Sequence, residues 1–181
     1  MPLVLYSTIV AIGSVSALGI ILWSMSQTMR EKYERIPYET YMGMIALISI
    51  VWIIGALVYE FFYSVPTCFL CWWQRIFLFP ISIIASVTLW KNIRGNETIT
   101  MILSFFGCIV GVYHYILHLL EILHRDAGVI TICDASGVSC SEYGNILIFG
   151  WITLPFMALM LFFTIFVLSL FARKAYVPPH A

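Results

Sequence analysis

Charge is what this chain has least of. Asp, Glu, Lys and Arg together make up 10% of its 181 residues, where a soluble domain carries about a quarter. That scarcity excludes an ordinary water-soluble fold. Neither sign is in excess, because nine basic and nine acidic residues leave a net charge of zero. With no basic face to meet a phosphate backbone, nucleic acid is excluded as a partner. Internal repeats and low-complexity stretches are also missing. What fills the chain is apolar: 62% of it is hydrophobic and 16% aromatic. It reads as an all-α integral membrane protein in contact with lipid, built from apolar runs long enough to cross a bilayer as helices.

Five such runs are present. The first, Leu3 to Met29, lacks the basic start and short apolar centre of a signal peptide, and so predicts a retained transmembrane helix. Tyr41 to Tyr63 is the second, with Glu60 near its end, where a carboxylate can reach headgroup water. The third follows Cys68 and Cys71 and extends to about Trp90, with Pro80 inside it as an expected kink. Trp72 and Trp73 at its start fit the headgroup level. Thr98 to Leu120 is the fourth, and Ile146 to Phe171, with a second expected kink at Pro155, is the fifth.

Loop cations predict the orientation. One set of connections holds Arg30, Lys32, Arg35, Lys91, Arg94, Arg173 and Lys174, and the other holds only Arg75 and Arg125. The first set is expected on the cytoplasmic side, with the N-terminus outside and the C-terminus inside. This count ignores cysteine, yet it places Cys68, Cys71, Cys133 and Cys140 together on the extracytoplasmic face. Paired loop cysteines belong on an oxidising face.

A Cys-x-x-Cys pair serves as a metal clip, a structural disulfide or a redox centre. If Cys71 opens the third helix, the helix dipole and Arg75 one turn later would both stabilise its thiolate. Cys133 and Cys140 are separated by six residues that include Gly137. A disulfide across so short a loop would contribute about 2–3 kcal/mol as a simple staple. Two pairs on one face also permit a relay, because thiol–disulfide exchange passes electrons through mixed disulfides. The four cysteines could equally complete a zinc site. Cys108, inside the fourth run, reads as a small buried hydrophobe.

His114, His118 and Glu121 fall on one helical stripe. A histidine in a membrane helix is a functional candidate. Helix packing, a metal site and the polar lining of a ligand pocket are the readings open to this stripe, and no resident metal is expected.

The run Pro66-x-Cys68-x-Leu70-Cys71-Trp72-x-Gln74-Arg75, with Pro80 beyond it, resembles the signature of the DsbB family of disulfide-bond formation proteins, and most of all its shorter BdbC-type members. Tyr113-His114-Tyr115 and the later cysteine pair strengthen the resemblance, which covers roughly Tyr41 to Phe171. Vitamin K epoxide reductases do related chemistry, but there the loop pair precedes the Cys-x-x-Cys, and here it follows. The resemblance implies a four-helix membrane bundle acting as a thiol–quinone oxidoreductase. Cys68 and Cys71 would be the quinone-proximal pair, and Cys133 and Cys140 the outer pair that reoxidises an extracytoplasmic thioredoxin-fold thiol oxidase of the DsbA or BdbD kind. Arg75, His114 and Tyr115 would line the site of the quinone, whether ubiquinone or menaquinone.

On that pattern, residues 1–40 are an additional N-terminal transmembrane helix with a cytoplasmic loop, 41–174 the four-helix domain and 175–181 a cytoplasmic tail, which makes five spans in all. The competing expectation is a non-enzymatic membrane scaffold whose outer loops are stapled by disulfides.

Overall fold

The computed structural model describes residues 36–63, 67–124 and 153–175. They form four helices: α1 (Tyr38–Tyr63), α2 (Phe69–Lys91), α3 (Glu97–His124) and α4 (Leu154–Ala175). All four are long and apolar enough to cross a membrane, and no strand occurs among the described residues. The expected N-terminal span, Leu3 to Met29, lies outside them, as do Cys133 and Cys140.

Local chemistry sets the helix ends. Pro37 precedes α1, and its carbonyl accepts from the Thr40 N–H at 3.0 Å. α2 ends at Asn92, whose left-handed backbone (φ 50°) lets the N–H groups of Asn92 and Ile93 turn back onto the Leu89 and Thr88 carbonyls. Thr153 caps α4, its hydroxyl accepting from the Phe156 N–H at 3.4 Å. Pro155 therefore lies in the first turn of α4 and does not kink its middle as the sequence suggested. A proline is at home there, where its missing N–H would have had no intrahelical partner. Pro80 does lie inside α2.

The helices pack as a ring, α1 on α2, α2 on α3, α3 on α4 and α4 back on α1. Tyr41, Met42 and Ile45 from α1, Leu78, Ile81 and Ala85 from α2, and Phe162 and Ile165 from α4 fill its centre. α3 meets α4 through two glycines. A Cβ on Gly107 would run into the Phe162 ring, and one on Gly111 would lie 3.2 Å from the Leu159 backbone. Small residues permit this close approach in membrane helices. Leu47, Phe61, Phe62, Ile83 and Trp90 point outward, as suits side chains bathed in lipid.

The two ends of the ring differ in chemistry. At one end Tyr38 donates to Glu97 at 3.1 Å, Thr100 and Ser169 lie 3.0 Å apart, and Arg94 pairs with Glu39 at 2.8 Å. Lys91, Arg173 and Lys174 belong to the helix termini at this end. At the opposite end lie Glu60, Cys68, Cys71, Arg75 and His114.

Candidate functional site

The site is built around the start of α2. Cys68 is its N-cap, in extended conformation (φ −72°, ψ 161°), and its sulfur accepts from the Cys71 N–H at 3.4 Å. The helix thus opens at Phe69, ahead of Cys71, and the favourable position at the positive end of the dipole falls to Cys68. A cap is the residue whose side chain reaches the third helical N–H, and here that reach begins at Cys68. The two sulfurs lie 3.0 Å apart as free thiols.

α3 brings His114 to the same place. Its Nε2 lies 3.5 Å from the Cys68 sulfur, and the ring is only 2% exposed. Leu70 and Leu117 pack around the pair. Cys68 stands one residue ahead of the span. The hydrogen bond from the Cys71 thiol, supported by the His114 ring, holds its thiol well below the usual range against the opposing effect of burial.

Arg75 sits one turn beyond Cys71, and its contacts run to α1 and to Trp72. Its Nη1 forms an ion pair with Glu60 of α1, its Nη2 donates to the Ala56 carbonyl at 3.5 Å, and its guanidinium lies 5.2 Å from the Trp72 ring centroid. The other Glu60 oxygen accepts from the Thr67 hydroxyl at 3.1 Å, next to Cys68. Glu60 is the member of the site that sequence reasoning placed at headgroup water. The available signal was a lone acid and a lone base at the same end of neighbouring apolar runs.

Two buried polar atoms have no hydrogen-bond partner among the described residues, Gln74 Nε2 and His114 Nδ1. Each is a candidate contact for a polar ligand atom. His118, one turn past His114, is fully buried. Tyr115 turns its ring onto Phe156 of α4, with centroids 5.4 Å apart. Cys108 packs half-buried against the core. The donor atoms of Cys68, Cys71 and His114 all lie within 4.8 Å of one another, so they could hold a soft metal ion only with a further ligand from elsewhere.

Residues 38–172 match the family described as Disulfide bond formation protein DsbB. The chain belongs to the DsbB family. The SPbeta prophage-derived disulfide bond formation protein B of Bacillus subtilis is 36% identical over 57% of this chain and 65% of its own length, just under two thirds. A probable disulfide formation protein of Oceanobacillus iheyensis is 35% identical over 64% of this chain and 77% of its own. The probable disulfide formation protein C 1 of Bacillus anthracis is 27% identical over 80% of this chain and 97% of its own. No solved structure matches. As a DsbB-family chain with four apolar helices, this is a multi-pass membrane protein with a role in disulfide-bond formation.

Proposed function

We propose that the chain is a membrane thiol–quinone oxidoreductase that reoxidises an extracytoplasmic thioredoxin-fold partner of the DsbA or BdbD kind. The observation that carries this reading is the Cys68–Cys71 dithiol at the mouth of α2, with His114 Nε2 at 3.5 Å from Cys68. In the relay, the dithiol of the reduced partner is oxidised as the Cys133–Cys140 disulfide is reduced. That pair then reduces the Cys68–Cys71 disulfide by the same exchange, through a mixed disulfide. Reoxidation of Cys68 and Cys71 releases two electrons and two protons.

A quinone, when bound, supplies the two-electron, two-proton acceptor. The residues present fit such a group, because Gln74 Nε2 is a buried donor without a partner among the described residues and suits a carbonyl oxygen. His114 Nδ1 is buried in the same condition. When Nε2 accepts from the Cys68 thiol, Nδ1 carries the ring hydrogen and can donate. Arg75, one turn from Cys71, and Tyr115 are further lining residues on this reading. His114 also gives the Cys68 proton a place to go.

The orientation follows in the same terms. Both cysteine pairs would face outward, with the N-terminus outside and the C-terminus cytoplasmic. Lys91, Arg94, Arg173 and Lys174 cluster at the end of the bundle away from Cys68, which supports this assignment. Leu3 to Met29 would add a fifth span.

A single-turnover experiment tests the relay against a stapled scaffold. Mild dithiothreitol should reduce both pairs quickly in the purified protein, and added quinone should restore the Cys68–Cys71 disulfide. Slow reduction with no reoxidation would favour the scaffold.

A further inference from the structure

Glu60 joins three parts of the site. One oxygen receives Arg75, and the other receives the Thr67 hydroxyl that directly precedes Cys68. The ion pair is largely removed from water, with side chains 10% and 23% exposed. Arg75 is further held by the Ala56 carbonyl and the Trp72 face. Its place is therefore set by α1 and by its own helix together, one turn past Cys71.

An arginine so close to a dithiol has an electrostatic consequence. A positive charge stabilises thiolate, and a stabilised reduced form makes a disulfide more oxidising. Here the guanidinium is paired, so its charge is largely cancelled where the sulfurs would feel it. We infer that Glu60 is the counter-ion and positioning residue of Arg75, and that this pairing holds the Cys68–Cys71 couple less oxidising than an unpaired arginine would. The inference rests on the reading of Cys68 and Cys71 as a redox pair. It needs neither a quinone nor a protein partner for its test.

The test is a redox titration of the full chain in detergent against glutathione buffers. Cys68 and Cys71 are followed by differential alkylation resolved at the peptide level, which separates them from Cys108, Cys133 and Cys140. In each equilibrium, oxidised glutathione takes two electrons from the Cys68/Cys71 dithiol. The protein disulfide forms, and two glutathione thiols leave with the two protons. Glu60→Gln should make the protein disulfide roughly tenfold easier to reduce, since a charge one turn away, about 6 Å, acts through a partly dry medium. Arg75→Met should shift the equilibrium the opposite way, because it leaves Glu60 unpaired. The double variant should return close to wild type, and Glu60→Asp should stay within about twofold of it.

Opposite shifts that cancel in the double variant are a charge signature that simple loosening of the helices does not produce. Unshifted midpoints in single variants that still elute as folded protein would overturn the inference, and so would shifts of the same sign in both. If the singles fail to fold, the double variant and Glu60→Asp remain. A large departure of either from the wild-type midpoint overturns it as well. A protein that titrates as described yet reduces no quinone would leave this inference intact while removing the proposed electron acceptor.

Discussion

His114 Nε2 lies 3.5 Å from the sulfur of Cys68, although the two residues stand 46 positions apart. The contact joins α3 to the first turn of α2, and it places a titratable ring against the thiol that caps the helix. A nucleophilic thiol needs to lose its proton, and an imidazole at this distance can take it.

This contact gives a pH-dependent prediction. The Cys68 thiol is held below its usual range, with the Cys71 hydrogen bond as the larger cause and His114 as a further one. A depressed pKa keeps thiolate present as pH falls, so Cys68 should remain open to alkylation at pH values where an ordinary thiol has stopped reacting. His114→Gln should move the alkylation midpoint of Cys68 upward, so that its reaction is lost at a higher pH on acidification while staying close to wild type near neutral pH. Peptide-resolved alkylation rates across a pH series would show it, and an unmoved midpoint would remove His114 from this role.

The glycine contacts predict a graded loss of stability. Phe162 is 1% exposed and has no room to swing away from a Cβ on Gly107. Gly107→Ala should cost about 1–3 kcal/mol as an overpacked interface. Gly111→Ala, with its nearest contact at 3.2 Å, should cost less. Thermal unfolding in detergent should rank wild type above Gly111→Ala and Gly107→Ala lowest.

The cap of α4 offers a milder control. Thr153→Ala removes the hydroxyl that receives the Phe156 N–H. A loss of about 1 kcal/mol is expected from such a cap. The same thermal series would read it, with no change in Cys68 alkylation, because the Thr153 hydroxyl receives the Phe156 N–H and α4 carries neither sulfur nor His114.

The second cysteine pair should separate the two halves of the relay. Cys133→Ser and Cys140→Ser are each expected to abolish oxidation of a reduced thioredoxin-fold dithiol. Neither should prevent dithiothreitol from reducing Cys68–Cys71 directly, or added quinone from reoxidising it. Partner oxidation at the wild-type rate in either variant would show that the outer pair is not on the path.

The helices were legible in the sequence because membrane spans are written as length and apolarity. Tyr41 to Tyr63 was expected and Tyr38–Tyr63 is seen; Thr98 to Leu120 was expected and Glu97–His124 is seen. The Cys-x-x-Cys and Arg75 could be picked out because a cysteine pair at that spacing carries few chemistries. The partners of these residues were not. In a run that is apolar all round, nothing marks which side faces a neighbour, so the only sign of the Glu60–Arg75 pair was a lone acid and a lone base at the same end of neighbouring runs, and His114 gave no hint of Cys68. Pro155 was misread for a related reason. A proline interrupts a hydrophobic run in the same way whether it sits in mid-helix or in the first turn, and only the Thr153 cap distinguishes the two.

In the proposed relay, electrons pass through Cys71 to a quinone. Anaerobic quinol formation tests it most directly, using purified protein, a reduced thioredoxin-fold dithiol, and ubiquinone or menaquinone in turn. The relay predicts quinol from the wild type with at least one quinone, and none from Cys71→Ser protein that still inserts and folds. Quinol formed equally well by Cys71→Ser, or by neither protein with either quinone, would contradict it.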